Sequence, residues 1–314
     1  MKTFLKTILL TAVVALSFVN ATVHAENERY VFVSHAPDSD SWWNTIKNSL
    51  RLAAGQYNVE VDYRNPPTGD YGDMARIIEQ ATASNPDGII VTIADYDVLS
   101  GPIKKAVARG IPVITVNSGT HEQSEALGAM LHIGQPEYDA GFAAGKRAKA
   151  DGAKQYLCVN HQIANAALTE RCRGFAEGLG VTFGSQMLDV GADPGEIKNR
   201  VSAYLRSNKD IDAILTLGPT SAGPTLIALD EMGMHDKMYF GTFDLSKEIS
   251  EGIKSGKIDW AIDQQPFLQG YLAVTFLVSY SRYGVQVPHH VNSGPGFITK
   301  ATIDSVSRLA GIYR

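Results

Sequence analysis

Short apolar runs, each ending in a polar or charged residue, recur at least six times along the chain, and most are followed by a helix-like segment. The first three are Tyr30-Val31-Phe32-Val33 before Ser34-His35, Gly88-Ile89-Ile90-Val91-Thr92-Ile93 before Asp95, and Val113-Ile114-Thr115-Val116 before Asn117. The later three are Tyr156-Leu157-Cys158-Val159 before Asn160-His161, Ile214-Leu215-Thr216-Leu217 before Gly218-Pro219-Thr220, and Phe240-Gly241-Thr242-Phe243 before Asp244. Unbroken apolar runs of this length mark strands of a parallel sheet covered on both faces. Open α/β sheets bind ligands outside the carboxyl ends of their strands, so the polar residues after each run fall along an expected ligand cleft.

Between the runs the period changes to that of a helix. Ile46, Leu50, Ala53 and Ala54 are spaced i, i+4, i+7, i+8, and Met74, Ile77, Ile78 and Ala81 are spaced i, i+3, i+4, i+7. Each set forms one apolar stripe that packs on a sheet. Asn85-Pro86-Asp87-Gly88 and Gly110-Ile111-Pro112 break the helices before the next strands. The product is βαβαβ, for which the right-handed crossover rule gives a parallel sheet. The pattern restarts after Gly134-Gln135-Pro136, with helices expected over 140–150, 169–179, 196–208 and 221–232 and strands or extended segments over 156–160, 186–190 and 212–217. The expected architecture is α/β, with two similar lobes whose strand ends face one crevice.

The N-terminal segment changes the cellular address. Lys2 and Lys6 precede an apolar stretch over 7–19 and the small-residue signal Val23-His24-Ala25, the layout of a secretory leader. That stretch is shorter than the roughly 20 residues a bilayer requires. The expected mature chain starts near Glu26, in a Gram-negative periplasm, and no cysteine stands at the cleavage point to carry a lipid. The formal charge of −5 becomes more negative once Lys2 and Lys6 leave, and no basic patch marks a nucleic-acid binder. The only two cysteines are Cys158 and Cys172. An oxidising compartment permits a disulfide between them, the alternative being two buried thiols.

Several motifs, in this order, resemble the ribose- and galactose-type periplasmic binding proteins that serve ABC sugar importers. They are Ser41-Trp42-Trp43, Gly110-Ile111-Pro112-Val113-Ile114, Arg171-Cys172-Arg173-Gly174-Phe175, Gly241-Thr242-Phe243-Asp244 and Ile262-Asp263-Gln264-Gln265-Pro266. The resemblance spans the mature chain and implies a type I fold: two Rossmann-like lobes with parallel sheets, joined by a three-crossing hinge. The expected lobes are 26–133 plus 266–290 and 134–265 plus 291–314, with 1–25 as the leader. It also implies a ligand set of Asp40, Trp42 and Trp43 after the first strand, Asn117 and Ser118, Arg171, Asp244, and Gln264 with Gln265 beside it. Three departures separate the chain from the ribose-type pattern. Asn117-Ser118 replaces Asp-Arg, Gly218 replaces an Asn whose hydrogen bond is lost or moved to Thr220, and Asp193 stands near an expected aromatic. A ligand other than ribose in its usual pose follows.

The residue types suit a small hydroxylated ring. Aromatic rings cover its C–H faces, while carboxylates, amides and an arginine fork satisfy its hydroxyls, and pairing each hydroxyl rejects analogues that lack one. Each candidate also has a bland reading. Trp42 and Trp43 also read as core or lobe-interface packing, Arg171 as a surface ion pair, Asp244 as a helix cap, Asn117 as a turn, and Gln264 as a hinge strut. Asn165, in the loop before Arg171, joins the set, whereas His161 reads as structural. Other motifs fail: Pro219 stands where a nucleophile elbow needs Gly, Gly141 to Lys146 lacks the spacing of a phosphate loop, and His289-His290 lacks metal-ligand partners. The expectation is a non-enzymatic receptor for an ABC importer, without cofactor or metal. It is expected to be monomeric, to bind a monosaccharide or cyclic polyol and to hand it to an inner-membrane permease. The alternative is a periplasmic receptor passing a sugar-like signal to a chemoreceptor or sensor kinase.

Overall fold

The computed structural model describes residues 28–314; the expected leader lies outside them. Five strands come first: β1 Arg29–Val33, β2 Glu60–Arg64, β3 Gly88–Val91, β4 Val113–Val116 and β5 Leu131–Gly134. Five more follow: β6 Tyr156–Asn160, β7 Met187–Asp189, β8 Ala213–Thr216, β9 Tyr239–Phe243 and β10 Trp260–Asp263. Near the end of the chain, β11 Val291–Asn292 and β12 Gly296–Thr299 each add to a different sheet. The sheets run β11-β5-β4-β3-β1-β2 and β12-β10-β9-β8-β6-β7, all parallel except β12 against β10. Each is a type I lobe, and the chain passes between them after β5, after β10 and after β11.

Strand alternation divides each lobe's core into two layers. In β1, Tyr30 and Phe32 face Ile46, Leu50, Val274 and Leu277, while Val31 and Val33 face Met74, Ile78, Leu99 and Ile103. In β6, Tyr156 and Cys158 face Leu168, Phe175 and Ala144, while Leu157 and Val159 face Ile197, Val201 and Leu205. Both faces are apolar because helices cover both.

Each lobe packs its crossing helix on its first helix: Pro266–Tyr283 on Asn44–Tyr57, and Glu137–Ala150 on Ala166–Leu179. The second pair is the tighter. A Cβ added at Gly141, Gly145, Gly174 or Gly178 would lie 2.1–2.2 Å from a carbonyl oxygen of the facing helix. The Cys158–Cys172 disulfide is formed. It ties the centre of β6 to the second turn of its helix.

Some boundaries moved. The helices expected to begin at 140, 169, 196 and 221 begin at Glu137, Ala166, Pro194 and Pro219, each behind a cap or a proline in the first turn. The run expected to continue to Ile93 leaves the sheet after Val91. Val291–Asn292 pairs with Ile133–Gly134, so these two residues extend the first sheet rather than belonging with the second lobe.

Candidate functional site

The strand ends of the two sheets meet around a cavity of about 40 Å³. All ten candidate residues line it: Asp40, Trp42, Trp43, Asn117, Ser118, Asn165, Arg171, Thr220, Asp244 and Gln264. His35, His161, Gln162, Leu168, Leu217, Gly218 and Pro219 complete the wall. Gln265 lies beside it, its amide donating to the Ser293 carbonyl.

The first lobe supplies aromatics, neutral polar groups and one carboxylate, Asp40. After β1 the chain turns through Asp40, whose carboxylate accepts from the Trp42 amide at 3.1 Å and starts a short 3-10 turn, Ser41–Trp43. Trp43 is buried edge-on against His35, with ring centroids 5.2 Å apart, and Trp42 sits edge-on to Trp43 at 5.1 Å. Burial raises the Asp40 carboxyl above the usual range. After β4, Asn117 takes the left-handed conformation at φ 61°, which asparagine tolerates better than most residues. Its amide then donates to Gln264 at 3.0 Å and Gln269 at 3.1 Å, and its oxygen accepts from Ser118 at 3.1 Å.

The second lobe supplies the buried ion pair, Arg171 with Glu137, and Asp244 beside it. Arg171 is 3 % exposed and bound in bidentate fashion to Glu137, Nε to Oε2 at 2.6 Å and Nη2 to Oε1 at 2.8 Å. Nη1 donates to the Leu217 carbonyl at 2.9 Å and lies 3.9 Å from Asp244 Oδ2. Phe243 covers one guanidinium face. Gly141 permits this pairing: it admits the Arg171 carbonyl against the helix that carries Glu137 one turn earlier. Burial acts against the charge of Arg171, yet Glu137 and then Asp244 outweigh it and hold the pKa above its ordinary value. Asp244, left-handed at φ 65°, accepts from Gln264 Nε2 at 2.8 Å. Burial, partly offset by Arg171 and Gln264, raises its pKa to about 7.

Asn165 joins the lobes. Its oxygen caps the helix Ala166–Leu179 through the Ala167 amide, and its Nδ2 lies 3.2 Å from His35 Nε2 and 3.3 Å from Ser118 Oγ across the cleft. These hydrogen bonds make the conformation a closed one. His35 and His161 occupy corresponding positions, after β1 and β6, and both are held neutral. Burial and then the charge of His161 lower His35 to about 3; burial and then Arg171 lower His161 to about 4.

Sequence reasoning missed three participants. His35 and His161 carried a visible signal, each standing in the polar tail of an apolar run, but a lone histidine there also reads as structural. Glu137 gave none, since an acid in a first helical turn is ordinary. The arginine fork expected to be open to hydroxyls is consequently more than half occupied. Asp193 caps the helix Pro194–Ser207 and does not line the cavity.

Two facing α/β lobes closed over buried polar groups define the class, and the sequence agrees: residues 30–284 match the family described as a periplasmic binding protein domain, to which this chain belongs. It is 34 % identical to a carbohydrate transporter from Acidothermus cellulolyticus 11B crystallised with myo-inositol. That match covers 92 % of this chain and 100 % of the other, with a TM-score of 0.86. The ribose import binding protein RbsB of Bacillus subtilis is 28 % identical over 227 residues, 70 % of each chain. The xylose/arabinose-binding protein XylF of Sulfolobus acidocaldarius is 23 % identical over 290 residues, 88 % of this chain and 72 % of that one.

Proposed function

We propose that this protein is the solute receptor of an ABC importer, binding a monosaccharide or cyclic polyol between its lobes without turning it over. It works in the periplasm after loss of its leader, as a monomer that presents its closed form to an inner-membrane permease. The observation that carries the reading is one cavity walled by Asp40, Trp42, Asn117, Asn165, Arg171 and Asp244, drawn from both lobes. The relatives named for inositol, ribose, xylose and arabinose support the same ligand class.

The closed cavity holds on the order of three waters. A sugar ring therefore enters with the lobes apart, and its hydroxyls take over partners that now satisfy one another, such as Gln264 with Asp244 and Asn165 with Ser118. Closure follows only from contacts the ligand makes with both lobes.

A thermal-shift screen against pentoses, hexoses, inositols and sugar alcohols tests the ligand class. At least one is expected to raise the melting temperature; a flat screen removes the reading. With the hit in hand, calorimetry on Asp244→Ala is expected to show at least tenfold weaker binding, about 1.4 kcal/mol. Unchanged affinity excludes Asp244 from the ligand's shell.

A further inference from the structure

We propose that Glu137 sets the charge selectivity of the cleft: by neutralising the Arg171 guanidinium it leaves Asp244 as a carboxylate to be matched by the ligand, so that amine-bearing sugars or cyclitols are accepted beside neutral ones and acidic sugars are refused. This inference rests on the proposed sugar-receptor function and goes one step further, to the charge of the ligand.

The geometry is explicit. Glu137 takes Nε and Nη2 of Arg171, the Leu217 carbonyl takes Nη1, and no hydrogen bond joins the guanidinium to Asp244 across their 3.9 Å. The Arg171–Glu137 pair is thus neutral as a unit, and both members are buried. Asp244 gives Oδ1 to Gln264. Its Oδ2 faces the space over Gly218, where even an added Cβ would stand 3.8 Å away. His35 and His161 add no positive charge at neutral pH. Asp40 lines the opposite wall. Among the residues that line the cavity, the carboxylates therefore face no unpaired cation; Lys47 acts on Asp40 from outside the lining. Above about pH 7, where Asp244 is ionised, a ligand carboxylate or phosphate meets like charge in a desolvated site, whereas an ammonium group finds Asp244 Oδ2 as a charge-assisted acceptor.

Titration calorimetry on the full mature chain at about pH 7.5, above the Asp244 pKa, with matched probes, tests this. The sets are glucose, glucosamine and glucuronate; their galactose counterparts; and myo-inositol, its monoamine and its monophosphate. In each set whose neutral member binds, the amine is expected within tenfold of it or tighter, and the anion at least a hundredfold weaker. Glu137→Gln, which keeps the shape of the clamp but not its charge, is expected to shift the anion-to-neutral affinity ratio at least tenfold toward the anion. A merely structural clamp would leave that ratio alone. An anion within a hundredfold of its neutral parent, an amine more than tenfold weaker, or an unmoved ratio in a folded variant overturns the inference while leaving the receptor function standing. If the variant does not fold, the wild-type ratios decide. If none of these neutral probes binds, the sets are rebuilt on the parent that the thermal-shift screen finds; a screen without a hit removes the receptor function and this inference with it.

Discussion

At corresponding positions the two lobes carry the same backbone and different chemistry. Asn117 follows β4 and Asp244 follows β9, the equivalent strand of the other sheet, and both are left-handed. Asn117 bonds two amides and a hydroxyl, those of Gln264, Gln269 and Ser118; near Asp244 stand the Arg171 guanidinium and the carboxylates of Glu137 and Asp263. The difference extends to the framework. The first lobe joins its two helices through Gly270, where an added Cβ would meet the rotatable Ser49 hydroxyl at 2.2 Å. The second joins them through four glycines against main-chain carbonyls and adds the disulfide. A buried ion pair keeps its geometry only where the backbone beneath it cannot shift. The lobe that holds the ion pair is the one whose helices are locked together.

That comparison can be broken most sharply at Arg171. Replacing it with alanine leaves Glu137 buried without its partner, and such losses cost about 3–5 kcal/mol. Chemical denaturation of Arg171→Ala is expected to show a drop of that size; a change below about 1 kcal/mol would mean that water reaches Glu137. Next, removing the bridge through Cys158→Ala with Cys172→Ala is expected to cost on the order of 3 kcal/mol, the loop-closure contribution for a separation of 14 residues. Proteolysis should then find the second lobe first.

A matched pair of glycine substitutions sharpens the contrast. Gly145→Ala forces a methyl onto the Phe175 carbonyl and is expected to cost about 2–3 kcal/mol, the upper range for overpacking. Gly270→Ala meets a hydroxyl that can turn away and is expected to cost about 1 kcal/mol, near the lower end of that range. Equal losses in denaturation midpoints would show that the two helix pairs are equally rigid.

The last contrast concerns pH. Asp244 holds its proton in the folded protein up to about pH 7, whereas the unfolded chain releases it near pH 4. Its contribution to stability is thus full below about pH 4 and is lost as pH rises toward 7. His35 and His161 act in the opposite sense: the unfolded chain binds protons below about pH 6.5 that the folded protein refuses until about pH 3 and 4, so stability falls as pH falls through that window. Melting curves of Asp244→Asn are therefore expected to rise more steeply with pH than those of the wild type between 4 and 7. Parallel curves would place the Asp244 pKa near its ordinary value.

Much of this was legible in the chain. A strand buried on both faces announces itself as an apolar run, so β1, β3, β4, β6, β8 and β9 stood out, and with them the polar residues at their ends. The edge strand β2, Glu-Val-Asp-Tyr-Arg, is half exposed and reads as polar, which hid it. Strand β5 is interrupted by His132, and β10 offers only Trp260, Ala261 and Ile262 before Asp263, too short a run to stand out. The partner of Arg171 was invisible for a different reason. Glu137 and Arg171 are 34 residues apart, and only the glycine-mediated approach of their helices makes them neighbours.

The positive φ angles at Asn117 and Asp244 also limit how the specificity of the cleft can evolve. Branched or bulky side chains are strained in that conformation, so drift at these two positions is confined largely to Asn, Asp and Gly. The receptor can exchange an amide for an acid or erase a contact there without disturbing its frame. Changes that require a larger side chain must arise elsewhere on the wall, at places such as Gly218 or Thr220.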